Sequence, residues 1–245
     1  MRVMLDVKSA LYGEACAYPV ADHEPLLFKA TLRAPVLRDR PYQLHIEPSG
    51  SRFKFSVVDD ISGKSCISGY LRPASEKEAA VGDATVRDAE SAPPFLLEKD
   101  ELAQQMTHFI SMVGQAQPAW LILDALLFRH LLVNESELFG GVARVFGVNG
   151  VNSASALMSD VAVLQTHHET LIPAPMKLLM LDGLLDDMGA MGLHIEVGLP
   201  AMTGDASSGL AITGSLVARI SDAMLTRTSI GLLALPPFLP AVTGV

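Results

Sequence analysis

A short pattern that occurs twice constrains the fold of this chain more than any other feature of its sequence. Met4-Leu5-Asp6 is followed by six residues and then Gly13, and Met180-Leu181-Asp182 is followed by six residues and then Gly189. Apolar residues recur at spacings of three and four in both copies, which is typical of a helix that packs by one side against a larger body. Each copy is therefore predicted to be a mostly buried helix that carries one carboxylate directed toward the interior.

Similar segments follow the two copies in the same order. Each copy is followed by a strand that ends in proline, at Pro35 or Pro200, then by a hairpin of alternating residues, and finally by a strand that runs from glycine to proline. Such an order is difficult to obtain by chance and indicates an internal repeat. We expect a first unit at 1–75, a linker at 76–97, a helical connection at 98–153 and a second unit at 154–245.

Two helices are predicted between the units. The segment from Glu98 to Val113 is amphipathic, and the segment from Trp120 to Val133 is more apolar and follows Pro118, a residue that is favourable at a helix start. The longest apolar run of the chain is shorter than the roughly 20 residues of a membrane span. This run, Ala119 to Val133, also contains Asp124, Arg129 and His130. No transmembrane helix is predicted.

The composition limits the classes of partner. The chain has 245 residues, of which 49% are hydrophobic and 18% charged, and its formal net charge is -9. An acidic chain without a basic face does not favour nucleic acid, and the apolar surplus favours a ligand cavity ahead of a subunit interface or a membrane surface. Two cysteines without metal spacing, and no visible secretory signal, predict reduced thiols and a cytoplasmic location.

The order of helix, proline-ended strand and antiparallel meander resembles the hot-dog fold, and its details are similar to the acyl-CoA thioesterase branch of that superfamily. Leu5-Asp6 and Leu181-Asp182 fall at the family's carboxylate position, Ala34-Pro35 and Leu199-Pro200 at the strand end, and Ser51-Arg52-Phe53 at the position of the Gly-Arg-led strand. The resemblance implies an α+β double hot-dog, in which an antiparallel sheet wraps a central helix in each unit. A strand-like segment, 161–165, precedes the second copy only, so the first unit is expected to lack its N-terminal strand.

The same resemblance implies the site. Asp182 and Asp6 would act as base or nucleophile on a thioester, and backbone amides at a helix start near Met176 or Lys177 would polarise the carbonyl, since such amides favour negative charge. Met180 and Gly189 would contribute to substrate binding. No metal and no cofactor is expected.

Two local features bear on this site. Pro173-Ala174-Pro175 stand where the family has His-Gly-Gly, and proline has no N–H to donate. His167-His168-Glu169 could form a displaced catalytic or metal-binding group, although two adjacent histidines in an exposed turn are more often polar loop residues.

The leading functional hypothesis is hydrolysis of an acyl-CoA or acyl-carrier thioester. The main alternative is a non-catalytic acyl- or lipid-binding double hot-dog, which Pro173-Ala174-Pro175 favours. A hydratase or dehydratase of acyl thioesters ranks lower, because no Asp-x-Asn-Pro-x-His-like segment is found. A homo-oligomer stays open as an alternative.

Overall fold

The computed structural model describes residues 2–17, 24–34, 36–37, 39–80, 95–113, 118–134, 162–177, 179–188, 192–205 and 207–235. The helices are α1 (Arg2–Ala17), α2 (Lys99–Val113), α3 (Ala119–Asn134) and α4 (Leu181–Met188). The strands are β1 (Leu26–Leu32), β2 (Tyr42–Ser49), β3 (Arg52–Asp59), β4 (Ser65–Pro73), β5 (Phe95–Leu97), β6 (Ala162–Ile172), β7 (Leu193–Asp205), β8 (Gly209–Ile220) and β9 (Ala223–Leu235). A 3-10 turn spans Ala174–Met176.

All nine strands form one antiparallel sheet in the order β2-β3-β4-β1-β6-β9-β8-β7-β5. The sheet is symmetric about the junction of β1 and β6, because β1, β2, β3 and β4 occupy the same positions on one side as β6, β7, β8 and β9 on the other. β5 lies outside β7 and has no counterpart among the described strands of the first half. The duplication that the sequence predicts is therefore present in the sheet.

The strands form where the sequence alternates. In β3 the burial pattern changes at nearly every residue, with Phe53, Phe55 and Val57 buried and their neighbours more exposed. This is the period-two pattern of a strand with one face on a core and the other toward water.

Helices α1 and α3 pack against the buried face of the sheet and against each other. Their side chains belong to one hydrophobic core together with those of the strands. Lys8 contacts Asp124, and one turn along α1 the ring of Tyr12 meets that of Trp120 at 6.1 Å, edge to face. From the first contact to the second, the residue number rises along α1 and falls along α3, so the two helices run antiparallel. Their contact places the middle of both helices next to the β1–β6 junction, where Lys8 lies 4.6 Å from the centre of the Phe28 ring.

The fold class expected from the sequence is confirmed: the chain is α+β, with a large antiparallel sheet made of two equivalent halves and helices packed against it. The meander from β1 to β4 and the helices α2 and α3 are also confirmed, each within one or two residues of the predicted bounds. No helix of the described ranges is both long and apolar enough to cross a bilayer.

The alignment of the two repeat copies requires a correction. Among the described residues, the last helix before β6, and so the counterpart of α1 before β1, is α3 and not the helix around Met180–Gly189. That helix is α4, which spans eight residues between β6 and β7 and contacts α2. The similarity of Met4-Leu5-Asp6 to Met180-Leu181-Asp182 is therefore not a structural equivalence, because a three-residue match gives little information about topology.

The linker and the start of the second unit also differ from the expected boundaries. Phe95–Leu97, inside the predicted linker, forms β5 and pairs with β7. This pairing supports a second unit that begins at Phe95 and contains α2 and α3. The exact division of the chain into domains stays a prediction.

Candidate active site

A cluster of five buried polar side chains lies where α1, α3, β6 and β9 meet. Its centre is the carboxylate of Asp124, in the second turn of α3. Asp124 Oδ1 accepts hydrogen bonds from Thr170 Oγ1 at 2.5 Å and from Thr228 Oγ1 at 2.6 Å, and Oδ2 accepts one from the Lys8 ammonium. His168 Nε2 lies 3.1 Å from Oδ1. We call these five residues the Asp124 cluster: Lys8, Asp124, His168, Thr170 and Thr228.

The fold brings these residues together from distant parts of the sequence. Lys8 lies on the side of α1 that faces α3, and Asp124 lies on the facing side of α3. His168 and Thr170 are two residues apart on β6 and therefore point to the same face of the sheet, since side chains alternate along a strand. Thr228 pairs directly with Thr170 across the β6–β9 ladder.

The Asp124 cluster is almost completely closed to solvent. Lys8 is 2% exposed, Asp124 1% and His168 2%. Placing charges in such an environment costs several kcal/mol per ion unless each charge is paired and hydrogen-bonded. Both oxygens of Asp124 have donors, three at Oδ1 and the Lys8 ammonium at Oδ2.

Burial and the neighbouring charges shift the pKa values of the Asp124 cluster. Burial by itself raises the pKa of Asp124, but the neighbouring Lys8 and His168 and their hydrogen bonds outweigh it, so the pKa of this carboxyl lies well below its usual range. Burial lowers the pKa of Lys8, and the adjacent Asp124 carboxylate offsets part of that effect. Asp124 is therefore an anion at neutral pH, held by cationic and neutral donors.

His168 is in the neutral form, with its proton on a defined nitrogen. Burial lowers the pKa of His168, and the ammonium of Lys8 lowers it further. Nε2 lies 3.1 Å from Asp124 Oδ1, 3.3 Å from Thr170 Oγ1 and 3.4 Å from Lys8 Nζ. Because a carboxylate oxygen only accepts hydrogen bonds, the shortest of these contacts assigns the proton to Nε2. The other nitrogen, Nδ1, is then an acceptor, and it is buried without a hydrogen-bond partner among the described residues.

Aromatic rings fix the plane of His168. The ring of Phe128, on α3, stacks on the imidazole at 4.8 Å, and the ring of Phe28, on β1, meets it edge-on at 5.8 Å. The imidazole is thus held between two apolar rings with one nitrogen bound to Asp124. A histidine held in this way can act through its second nitrogen as an acceptor or base.

A second unpaired polar atom lies one turn away on α3. Trp120 Nε1 is buried and has no hydrogen-bond partner within the described residues. Its ring packs against that of Tyr12, whose hydroxyl donates to the Lys177 carbonyl oxygen at 2.7 Å. Within the described residues, α3 thus carries a buried donor without a partner at Trp120, and β6 a buried acceptor without a partner at His168.

Asp6 does not occupy the position that the sequence predicted for it. Its side chain is exposed on α1, whereas Leu5 and Val7 on either side are buried. The expectation of a carboxylate directed toward the interior is wrong at Asp6, because the buried face of α1 at this point belongs to its apolar neighbours and to Lys8. Its proposed catalytic role is not otherwise tested.

The other predicted residues lie near α4. Asp182 is the second residue of α4, and its side chain lies outside the described part of the structure, as does Gly189. Met176 and Lys177 are buried next to the 3-10 turn, while Met180 is 44% exposed and forms a single bridge with Pro118. The described ones, Met176, Lys177 and Met180, are not members of the Asp124 cluster.

Sequence reasoning missed the central residues of the cluster. His167 and His168 were expected in an exposed turn, but they lie within β6, which continues to Ile172. Asp124 was considered only as an interruption of an apolar run. A lone carboxylate among the apolar residues from Ala119 to Leu127 was the available signal, because a buried charge requires a partner.

The described residues contain no group of three or more His, Cys, Asp and Glu side chains arranged to hold a metal ion. Asp124 and His168 are adjacent, but the ammonium of Lys8 already occupies the second carboxylate oxygen. The cluster therefore has the character of an acid–base or polar binding centre.

No family model matches the chain, and no curated protein matches it. Its structure is similar to acyl-CoA thioesterase II TesB2 from Mycobacterium marinum, at 11% identity and a TM-score of 0.43, over 97% of this chain and 90% of that chain. It is similar to a conserved protein of unknown function with hot dog fold from Alicyclobacillus acidocaldarius, at 11% identity and a TM-score of 0.37, over 94% and 85% of the two chains. It is also similar to the dehydratase domain of PpsC from Mycobacterium tuberculosis, solved in complex with C12:1-CoA, at 11% identity and a TM-score of 0.32, over 92% and 81%.

Proposed function

We propose that this protein hydrolyses an acyl thioester, carried by coenzyme A or by an acyl carrier, and that His168 is the general base. The proposal rests on the hydrogen bonding of the two ring nitrogens of His168. Its Nε2–H is bound by Asp124, and its Nδ1 is left without a partner among the described residues. A carboxylate that holds one imidazole nitrogen so that the other can take a proton is the arrangement used in many hydrolytic sites.

In the proposed step, His168 Nδ1 takes a proton from a water molecule as its oxygen attacks the thioester carbonyl carbon. The carbonyl oxygen becomes an oxyanion, and the donors proposed to stabilise it are the indole N–H of Trp120, one turn from Asp124 on α3, and the ammonium of Lys8. The carbon–sulfur bond then breaks, the imidazolium returns the proton to the leaving sulfur, and a free thiol and a carboxylic acid result. Preorganised donors near a developing oxyanion usually supply the largest part of such catalysis.

Asp124 is assigned a positioning role. Its oxygens accept hydrogen bonds from Lys8, His168, Thr170 and Thr228, three of them at Oδ1, and through these bonds the carboxylate fixes the orientation of the His168 imidazole. The earlier expectation that Asp182 or Asp6 is the base or nucleophile stays a prediction, and the variants described below separate the two assignments. A cytoplasmic location and a homo-oligomeric state also stay predictions.

Acyl binding without hydrolysis is the second candidate. Two observations favour it. The Asp124 cluster is nearly closed to solvent, and Pro173 precedes the 3-10 turn while Pro175 lies within it, where amide donors were expected. A protein of this kind would hold an acyl group in its apolar interior without cleaving the thioester.

The experiment is an assay of free thiol release from a panel of acyl-CoAs of different chain lengths, with the purified protein and its His168→Gln variant. We expect release by the wild-type protein and a decrease of about a hundredfold or more in the variant, as for loss of a general base. His45→Gln, on the exposed edge strand β2, is the matched control and should retain full activity.

Each other outcome has a distinct meaning. Bound acyl-CoA recovered intact after incubation would favour the binding protein, and water addition to an enoyl-CoA without thiol release would favour a hydratase. Unchanged thiol release by a folded His168→Gln protein would contradict the assigned base.

A further inference from the structure

A cavity of about 270 Å³ lies at the edge of the sheet, between α2, α3, β5 and β7. It is separate from the Asp124 cluster. Its α3 residues, Leu126, Arg129 and His130, lie about 140 to 240° around the helix from Asp124 at 3.6 residues per turn. The cavity therefore opens on the opposite side of α3, and nothing in the proposed hydrolysis uses it.

The floor of the cavity is apolar. Leu97 from β5, Leu126 from α3 and Ile195 from β7 line it, and all three are buried. A dry cavity of about 150 Å³ lined by such residues is large enough to bind benzene. The present cavity thus has room for a single ring or a short branched chain together with a small polar group.

The rim of the cavity is polar and carries a cation. Arg129 Nη1 donates to Gln105 Oε1 at 3.5 Å, and Gln105 Nε2 donates to Glu101 Oε1 at 3.3 Å. The amide of Gln105 is thereby oriented with its oxygen toward the arginine. Arg129 is exposed, and a guanidinium has five N–H donors, so this single long hydrogen bond within the described ranges uses one donor and leaves the others for a ligand.

An aromatic wall completes the rim. The rings of Phe95 and His130 lie 5.4 Å apart and are tilted by 35°. Phe95 is on the edge strand β5 and stays 41% exposed. A flat apolar group that enters the cavity would pass along this wall and reach the leucine and isoleucine floor.

We propose that this cavity is a second binding site, and that its ligand is a small carboxylate bearing one ring or a short branched apolar chain. The planar guanidinium of Arg129 matches a carboxylate in shape and charge, and such pairs favour two parallel hydrogen bonds. The apolar part of the ligand fills the floor, and the carboxylate lies at the rim. Glu101 should weaken the binding of this ligand, because its negative charge lies on the same rim.

Calorimetric titration with benzoate, cyclohexanecarboxylate and hexanoate tests the site, with benzamide as the neutral probe of the same shape as benzoate. We expect saturable binding of at least one carboxylate and weaker binding of benzamide. Arg129→Gln should weaken carboxylate binding about tenfold or more, because it removes a charge-assisted hydrogen bond. Glu101→Gln should strengthen it several-fold, and Arg52→Gln, on the exposed start of β3, should leave it unchanged.

The His168→Gln variant distinguishes this site from the Asp124 cluster. Retained carboxylate affinity in that variant is the expected result and holds whether or not the protein hydrolyses thioesters. Absence of saturable binding, equal affinity for benzoate and benzamide, or unchanged affinity in Arg129→Gln would overturn the proposal. So would a loss of affinity in His168→Gln, since the carboxylate would then be bound at the other centre.

Discussion

Lys8 and Asp124 carry opposite charges in the interior, and each depends on the other. Removal of one partner of such a pair typically costs about 3–5 kcal/mol, because the remaining charge is left buried and unpaired. Thr170 and Thr228 complete the shell of the carboxylate, and both are fully buried. His168 differs from these residues, because one of its two nitrogens has no partner in the described part of the chain. His168 is thus the residue of the cluster that has a nitrogen available to accept a proton.

The neutral state of His168 predicts a dependence of stability on pH. A histidine in the unfolded chain takes up a proton near pH 6.5, whereas the pKa of folded His168 is lowered by burial and by Lys8. Below about pH 6.5 the unfolded state therefore binds more protons than the folded state, and the free energy of unfolding should fall as the pH falls. One such histidine contributes at most about 1.4 kcal/mol per pH unit.

Urea unfolding at pH 7 and pH 5.5 measures this slope. We expect His168→Gln to reduce the loss of stability between the two values. His167→Gln is the neighbouring control and should have a smaller effect, because His167 is only partly buried, although burial lowers its pKa as well. An identical slope in wild type and His168→Gln would show that His168 is not held neutral.

At the scale of elements, α1 and α3 are the equivalent central helices, and the sequence identified α1 but assigned the wrong partner. Periodicity located both helices, and alternation located nearly every strand, because these patterns follow directly from burial of one face. The partner of α1 could not be found in this way, since α3 is predominantly apolar along its sequence and shares no motif with α1. His168 was missed for a related reason: in a central strand that is covered on one face, a buried histidine and an exposed one look the same in sequence.

The two glycines Gly13 and Gly69 give a test at this scale. A Cβ at Gly13, in α1, would meet no atom within 4 Å, whereas a Cβ at Gly69, in β4, would lie 2.0 Å from the Lys29 carbonyl oxygen of β1. Gly13→Ala should stabilise the protein by about 0.5–1 kcal/mol through the higher helix propensity of alanine. Gly69→Ala should destabilise it strongly by pushing β4 from β1. Thermal unfolding of both variants measures the difference, and a tolerated Gly69→Ala would contradict the close contact of these strands.

In the whole molecule, the sheet is continuous across the β1–β6 junction, and the Asp124 cluster lies on that junction. Lys8 comes from the first half of the chain, while Asp124, His168, Thr170 and Thr228 come from the second. Neither half can assemble the cluster by itself. The repeat in the sequence correctly indicated two units, but it gave no information on residues that only meet between them.

Expression of the two halves as separate fragments tests this dependence. A fragment of residues 95–245 should lack cooperative unfolding, because Asp124 would be buried without Lys8 and the edge of β6 would lose seven paired residues of β1. Addition of a fragment of residues 1–80 should restore cooperative unfolding. The fluorescence of Trp120, the single tryptophan of the chain, measures the unfolding transition. Cooperative unfolding of the 95–245 fragment by itself would contradict the dependence of the Asp124 cluster on both halves.

The most direct test of the central claim compares His168→Gln and Asp182→Asn for thiol release from the best acyl-CoA substrate, as kcat/KM. We expect kcat/KM to decrease about a hundredfold or more in His168→Gln and to stay near the wild-type value in Asp182→Asn. The unfolding transition of each variant confirms that it is folded. Full activity in His168→Gln together with loss of activity in Asp182→Asn would place the reaction at α4 and contradict the assignment to the Asp124 cluster.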